Sequence, residues 1–286
     1  MDLSIIIVNY NTKNLLAASL QSIYSKKHKI EFETFVVDNG STDGSVETIK
    51  VLYPQIIFLP QNENLGFAKA NNIAIKQAKG RYILLLNPDT VVLNDCLDLM
   101  IDFMDQNPDV GAAGCKVVLP DGSLDLACKR SFPTPENSFY HVLGLAKLFP
   151  KSRRFGQYNL TYLDENETHE VDCLVGAFMM VRREVIEQIG LLDEKYFMYG
   201  EDIDWCYRIK NAGWKIVYYP RAQIIHYKGA SSKKKKWETI YEFHRAMFLF
   251  FNDHYKDKYN LVIRYLVYLG IAARYVISVM KNIVGF

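Results

Sequence analysis

Short apolar runs alternate with stretches of helical period along the first 120 residues, and that alternation predicts the architecture. Residues 3–8 are rich in β-branched side chains and stop at Asn9-Tyr10-Asn11-Thr12, a polar turn of the kind that caps helices. Leu16, Leu20, Ile23 and Tyr24 then recur at i, i+4, i+7 and i+8, the spacing of a helix with one buried face. A second strand at 32–37 ends in a run of turn formers from Asp38 to Gly44. A short helix at 45–52 and a third strand at 56–59 follow. Phe67, Ala70, Ala74 and Ala78 give the next helix a small-residue face suited to close packing on a sheet. Residues 82–86 are continuously apolar, as a parallel strand covered on both faces requires. The order βαβαβαβ predicts a mostly parallel, Rossmann-like sheet flanked by helices.

The rhythm fails over residues 121–170, where Pro133, Pro135, Pro150 and many polar residues predict an irregular loop region. It returns as a strand at 172–181, a helix at 201–212 and two short strands at 215–219 and 223–227. From about Trp237 the chain is helical and aromatic. Within 261–280 the residues are mostly apolar, and Arg264, Tyr268, Arg274, Tyr275, Ser278 and Lys281 fall on one side of a helix. A transmembrane span would bury both arginines at roughly 2.5–3.5 kcal/mol each near the bilayer centre. An amphipathic helix lying in the membrane interface avoids that cost and is the favoured reading. A helix packed on its own domain is the alternative.

Composition narrows the class. With 49% apolar residues the chain buries enough surface to offset its conformational entropy, which excludes disorder. The 34 basic and 32 acidic residues leave a net charge of +2, too weak a basic excess for a nucleic-acid binder. Five widely spaced cysteines without a CxxC pair argue against a disulfide scaffold or a thiolate zinc site, and fit a reducing cytoplasm. Residues 1–8 are too short and uncharged for a signal peptide, so the expectation is an intracellular protein.

In an open parallel sheet, ligands bind beyond the carboxyl ends of the strands. Tyr10, Asp38 and Asn87-Pro88-Asp89 stand at such ends, while neither GxGxxG nor GxxxxGK[ST] is present. Asp38 reads either as an Asx-turn residue or as an acceptor for a nucleobase N–H under the Tyr10 ring. Asp89 follows a fully apolar strand, where a carboxylate suits a divalent cation on a diphosphate or caps the next helix. Glu201, Asp202 and Asp204 crowd one helix start, which the helix dipole favours. Asp204 can pair with Arg208 on the surface. Asp202 instead shares a stripe with Trp205, Cys206 and Ile209, and a carboxylate on a buried stripe must be paired or functional. Burial would raise its pKa, as a general base needs. His226 closes a strand, and Gly229-Ala230-Ser231-Ser232 with the lysine run 233–236 offers N–H groups and charge for a phosphate.

Together these residues resemble the family 2 glycosyltransferases of the GT-A fold, nearest the bacterial rhamnosyltransferase-like branch, from Leu3 to about Tyr255. The similarity lies in Val8-Asn9-Tyr10-Asn11, the stretch from Val37 to Ser45, Asn64-Leu65-Gly66-Phe67 through Asn71-Asn72, and Leu86-Asn87-Pro88-Asp89. It continues in Gly176-Ala177, Asp193-Glu194, Tyr199-Gly200-Glu201-Asp202-Ile203-Asp204, Gly213-Trp214 and His226. The resemblance implies a transferase domain over 1–255, with a nucleotide-sugar half (1–120) and an acceptor half (121–255), and a helical tail over 256–286. It places Asn87-Pro88-Asp89 at the family's DxD metal motif with Asn for the first Asp. It makes Asp89 and His226 ligands of Mn²⁺ or Mg²⁺. Asp202 matches the catalytic base, with Glu201 the acid before it. Val8, Tyr10, Asp38, Asn64, Gly66, Asn71 and Asn87 match the nucleotide-sugar pocket.

The implied reaction is an inverting transfer from a dTDP- or UDP-linked donor to a saccharide or lipid-linked saccharide, in cell-surface polysaccharide synthesis. The branch points to rhamnose as the sugar and to the inner face of the cell membrane as the place. Two competing readings are a nucleotide-sugar-binding scaffold without catalysis and a metal-dependent diphosphate hydrolase. The first has no need of Asp89, Asp202 and His226 together, and the second normally needs a denser His/Asp cluster.

Overall fold

In the computed structural model, which describes residues 1–228 and 236–284, β1 (Leu3–Asn9) is buried along its whole length. Neighbours on both edges and helices on both faces account for its apolar sequence. The chain continues through α1 (Lys13–Tyr24), β2 (Phe32–Asp38), α2 (Ser45–Leu52), β3 (Ile57–Pro60), α3 (Phe67–Ile75) and β4 (Tyr82–Leu86). β3, β2, β1 and β4 lie side by side and all parallel, as their sequence pattern predicts. Asn9 is registered opposite Asp38, and Ile7 opposite Leu86, so the carboxyl ends of three strands open on one edge.

Beyond β4 the sheet becomes mixed. A short β5 (Thr90–Val92) leads into α4 (Cys96–Gln106) and β6 (Val110–Val118). The irregular stretch contains a 3-10 turn at Leu126–Cys128 and two small helices, α5 (Pro135–Val142) and α6 (Leu145–Leu148). Then come β7 (His169–Glu170), β8 (Phe178–Arg182), α7 (Arg183–Ile189), α8 (Glu201–Asn211) and β9 (Lys215–His226). β8 is antiparallel between β4 and β6, and β9 is parallel to β6 and antiparallel to β5. The overall order is β3-β2-β1-β4-β8-β6-β9-β5, with β7 beside β9.

Three predicted strands differ in extent. Residues 172–177 are not part of β8, because their N–H groups serve other partners: Leu174 N–H donates to Cys206 Sγ and Gly176 N–H to Asp202. The two short strands expected at 215–219 and 223–227 are one strand. Pro220, which has no N–H for a ladder, sits where the register with β6 jumps from Tyr219 to Gln223. The 121–170 stretch is irregular as expected, yet it buries Asp125, Lys129, Arg130 and Asn137, so it is a built part of the molecule and not only a surface loop.

α9 (Lys236–His254) and α10 (Leu261–Val284) complete the chain. Tyr207 of α8 packs with Phe250, Phe251 and Tyr255 in a small aromatic core, against which Val267 and Tyr268 of α10 rest. α10 turns its basic and aromatic side inward. Arg274 lies over the Phe243 ring at 5.2 Å, Tyr275 meets His244 edge-on at 5.4 Å, and Arg264 Nη2 donates to the Lys256 carbonyl at 2.7 Å. The aliphatic side is left uncovered, with Val262, Leu266, Leu269 and Ile283 each more than 60% exposed. Packing on the domain and an exposed apolar face therefore coexist. α10 is also long and apolar enough to cross a membrane by length and composition.

Candidate active site

The loop after β1 and the loop after β2 are tied to each other. Asn9 Nδ2 donates to Asp38 Oδ1 at 2.6 Å and to Ser41 Oγ at 3.0 Å, and Thr12 Oγ1 donates to Asn9 Oδ1. Asp38 Oδ2 accepts from Ser41 N–H at 2.9 Å, three residues on, one residue further than an Asx turn reaches. Both oxygens of this buried carboxylate thus shape the loop. The N-terminus of α1 is served from the same place, by Asp43 accepting from Lys13 N–H, and not by the polar turn before it.

The Asn64–Gly66 segment is held against both halves. Asn64 Oδ1 accepts from Gly66 N–H, and Asn39 Nδ2 donates to the Gly66 carbonyl at 3.0 Å. Gly66 has φ +82° and any Cβ there would collide with the Phe197 carbonyl, so only glycine fits. The Phe67 N–H donates to that same carbonyl at 2.7 Å, fixing this loop beside the turn that starts α8. Asn71 donates to the Phe67 carbonyl, and its own Oδ1 is buried without a partner, as is Asn39 Oδ1. Val8, Tyr10, Asn64, Gly66 and Asn87 lie at or beyond strand ends on this edge, and Asn71 lies on α3.

Asp89 and His226 are brought together by strand pairing. Thr90 of β5 is registered opposite His226 of β9, and Tyr227 N–H donates to the Asp89 carbonyl at 2.8 Å. His226 Nε2 is 3.2 Å from Asp89 Oδ1 and 3.5 Å from Asn87 Nδ2. Its Nδ1 is 3.4 Å from Asp125 Oδ2, and Lys228 Nζ is 3.0 Å from Asp125 Oδ1. Burial opposes a charged imidazole, but the two carboxylates outweigh it and push the His226 pKa up to about 9. Asp125, despite its burial, is held well below the usual carboxylate range by His226 and Lys228. Asp89 Oδ1 is buried and accepts no hydrogen bond. A carboxylate oxygen facing an imidazole nitrogen at 3.2 Å, with a second carboxylate behind the ring, is the donor chemistry of a divalent-cation site. Among the described residues no third His, Cys, Asp or Glu completes a cage, so a cation there would take the rest of its ligands from the diphosphate and water.

Asp202 enters the site from the first turn of α8, which starts at Gly200 with φ +82°. Trp205, Cys206 and Ile209 on its stripe are fully buried, as the helical pattern predicts. Asp202 Oδ2 accepts from Arg130 Nη2 at 2.8 Å and from Gly176 N–H at 3.3 Å. Arg130 Nη2 also donates to the Leu174 carbonyl at 2.6 Å. The buried Asp202 carboxylate is met by the Arg130 cation, whereas Glu201 beside it has no such partner. Burial, then the Asp202 charge, push Glu201 up to about 8, and its Oε2 has no hydrogen-bond partner. Gly176-Ala177 joins the two carboxylate centres: Gly176 N–H reaches Asp202, and the Ala177 carbonyl accepts from Asn87 N–H at 3.1 Å.

Asp204 departs from the surface role expected of it. It is buried, accepting from Arg208 Nε at 2.9 Å and pairing with His254 Nε2 at 2.7 Å, so it joins α8 to α9. The sequence pattern also misses Arg130, Asp125 and His254. Arg130 carries one signal in hindsight, as a cation in a stretch where an irregular chain must satisfy the buried Asp202. The expected phosphate loop, Gly229-Ala230-Ser231-Ser232 and the side chains of lysines 233–236, lies outside the described residues.

A mixed α/β sheet that collects amides and carboxylates at the carboxyl ends of β1, β2 and β4, faced by an acidic helix start, defines a GT-A glycosyltransferase fold. The model of the family "Glycosyl transferase family 2" matches residues 4–190, and the chain belongs to that family. It is 29% identical over 250 residues to the N-acetylglucosaminyl-diphospho-decaprenol L-rhamnosyltransferase of Mycobacterium tuberculosis, covering 84% of this chain and 80% of that one. Rhamnosyltransferase WbbL of Escherichia coli is 32% identical over 57% of this chain and 61% of its own. Among solved structures, the mannosyltransferase PcManGT of Pyrobaculum calidifontis, determined with GDP-Man and Mn²⁺, shares the fold at TM-score 0.60. The identity is 17%, over 99% of this chain and 75% of that one.

Proposed function

We propose that this glycosyltransferase moves a sugar, rhamnose, with inversion from a dTDP- or UDP-linked donor to a lipid-linked saccharide, with Asp202 as the base. The observation that carries the reading is the placement of Asp202. It is a buried carboxylate fixed by Arg130 and separated from the Asn87–Asp89 turn by only Gly176 and Ala177. The rhamnosyltransferase names of the two relatives supply the sugar, and the decaprenol diphosphate in one name supplies the acceptor class.

The chemistry follows from the groups present. An acceptor hydroxyl gives its proton to an Asp202 oxygen while its own oxygen forms a bond to C1 of the sugar. The C1–O bond to the diphosphate breaks on the opposite face, and the electron pair leaves with the nucleoside diphosphate. Arg130 holds Asp202 in one orientation and supplies the charge that balances it. Burial and the Asp202 charge hold Glu201 toward its protonated form, which limits the negative charge beside the base. The loops built on Asn9, Asp38, Asn39 and Asn64 hold the nucleotide, with the Tyr10 ring as the surface for its base. Asp89 and His226 would hold Mn²⁺ or Mg²⁺, which when bound supplies Lewis-acid neutralisation of the leaving diphosphate. α10 rests on the membrane surface by its exposed aliphatic side.

A donor screen tests this reading. Incubated with dTDP-rhamnose, UDP-glucose, UDP-N-acetylglucosamine and GDP-mannose, the protein should be thermally stabilised by, and turn over, dTDP-rhamnose above the others. Preference for a GDP-sugar, or nucleoside diphosphate release unaffected by any saccharide acceptor, contradicts it.

A further inference from the structure

A second surface shares the uncovered apolar character of α10. The hairpin of α5 and α6 exposes Phe139, Val142, Leu143, Leu148 and Phe149, all more than half exposed, within eleven residues. Five large apolar side chains clustered in so short a segment are not ordinary scatter on a soluble surface. The same hairpin and its exit carry Lys147, Lys151, Arg153 and Arg154 against a single acid, Glu136. Glu136 is itself engaged by Arg154 at 3.2 Å.

The hairpin is tied to the site. Asn137 Nδ2 donates to Ser131 Oγ at 3.0 Å and to the Phe132 carbonyl at 2.7 Å, next to Arg130, the partner of Asp202. At its other end, partial burial and then the charges of Arg274 and Lys147 hold the His141 imidazole below its ordinary range. Apolar side chains rimmed by excess cations match the two layers of an anionic bilayer surface: acyl chains below, phosphates around.

Resting on the reading that α10 lies on the membrane, we propose that the α5–α6 hairpin is a second membrane-inserting element. It dips Leu143, Leu148 and Phe149 into the interface of an anionic bilayer. The consequence is orientation. One helix fixes the protein to a surface but leaves it free to roll; a second contact, anchored next to Arg130, turns the Asp202 side toward the lipid from which the acceptor rises.

All five native cysteines are buried, so one introduced surface cysteine can be labelled selectively. Leu148→Cys and Leu269→Cys, each carrying an environment-sensitive fluorophore, report the hairpin and α10 separately. With vesicles of equal parts phosphatidylglycerol and phosphatidylcholine, both probes should shift to the blue. K147E/K151E should weaken vesicle binding at least about tenfold while leaving turnover of a water-soluble acceptor unchanged. A shift at Leu269→Cys with none at Leu148→Cys overturns the hairpin and leaves α10 on the membrane. No shift at either position overturns both. Shifted emission from both probes before lipid is added means that a second copy of the chain covers these faces, and also overturns the proposal.

Discussion

Arg130 Nη2 donates to Asp202 Oδ2 at 2.8 Å, joining a residue of the irregular 121–170 stretch to the first turn of α8. Both side chains are nearly excluded from water, at 10% and 12% exposure. Removing one partner of such a pair leaves the other charge uncompensated, which typically costs 3–5 kcal/mol. Arg130→Met should therefore lower urea-unfolding stability by about 3–5 kcal/mol. Combining it with Asp202→Asn should recover part of that loss, because the stranded carboxylate is gone. Strictly additive losses in the double variant would mean that the two groups do not act as a pair.

Asp204 makes a prediction about stability and not about chemistry. Burial disfavours its charge, but His254 and Arg208 hold its pKa low. A carboxylate with a lowered folded pKa contributes stability that is present above its unfolded value and lost as the pH falls through the folded value. Asp204→Ala should cost about 2–4 kcal/mol at pH 7 and progressively less toward pH 3, with donor affinity retained. A loss of less than about 0.5 kcal/mol, the size of a surface pair, contradicts the bridge.

Glu201 has the opposite sign. With a pKa raised from 4.5 to about 8, it contributes most below pH 4.5, and that contribution is lost as the pH rises toward 8. Glu201→Gln mimics the protonated form, so its stability advantage over the native chain should grow between pH 6 and pH 8.5, by about 1–3 kcal/mol. A difference independent of pH would place the carboxylate in water.

Asp125 orders His226 from behind. Asp125→Asn should weaken Mn²⁺ binding by about 10–100-fold, read by the paramagnetic resonance of free Mn²⁺ in the presence of nucleoside diphosphate. Chelation with EDTA should abolish transfer, and Mn²⁺ or Mg²⁺ should restore it. Native affinity in Asp125→Asn removes this residue from the account, and full activity in chelator removes the cation.

How far the sequence carries depends on whether a signal is local. β4 is legible to the residue, because five consecutive apolar side chains bounded by Arg81 and Asn87 leave one reading. The stripe that buries Asp202 is equally local, lying within one helix. Asp204 is misread because the surface that covers it belongs to α9, whose His254 is fifty residues away. Arg130 and Asp125 stand in a Pro-rich stretch without period, and they gain their roles only when β9 and α8 close over them. The basic face of α10 is legible as a face, but which side of it meets the protein is decided by the aromatic rings of α9.

As the proposed base, Asp202 takes the proton from the acceptor. Asp202→Asn keeps the size and much of the hydrogen bonding but cannot accept that proton. Donor dissociation constant and transfer rate should be measured on the same preparation with dTDP-rhamnose and a polyprenyl-diphosphate-linked N-acetylglucosamine acceptor. Donor affinity should stay within about threefold of native while transfer falls by at least about 10²-fold, with Glu201→Gln losing less. Normal transfer by Asp202→Asn, or a loss explained by failure to bind donor, would contradict this role.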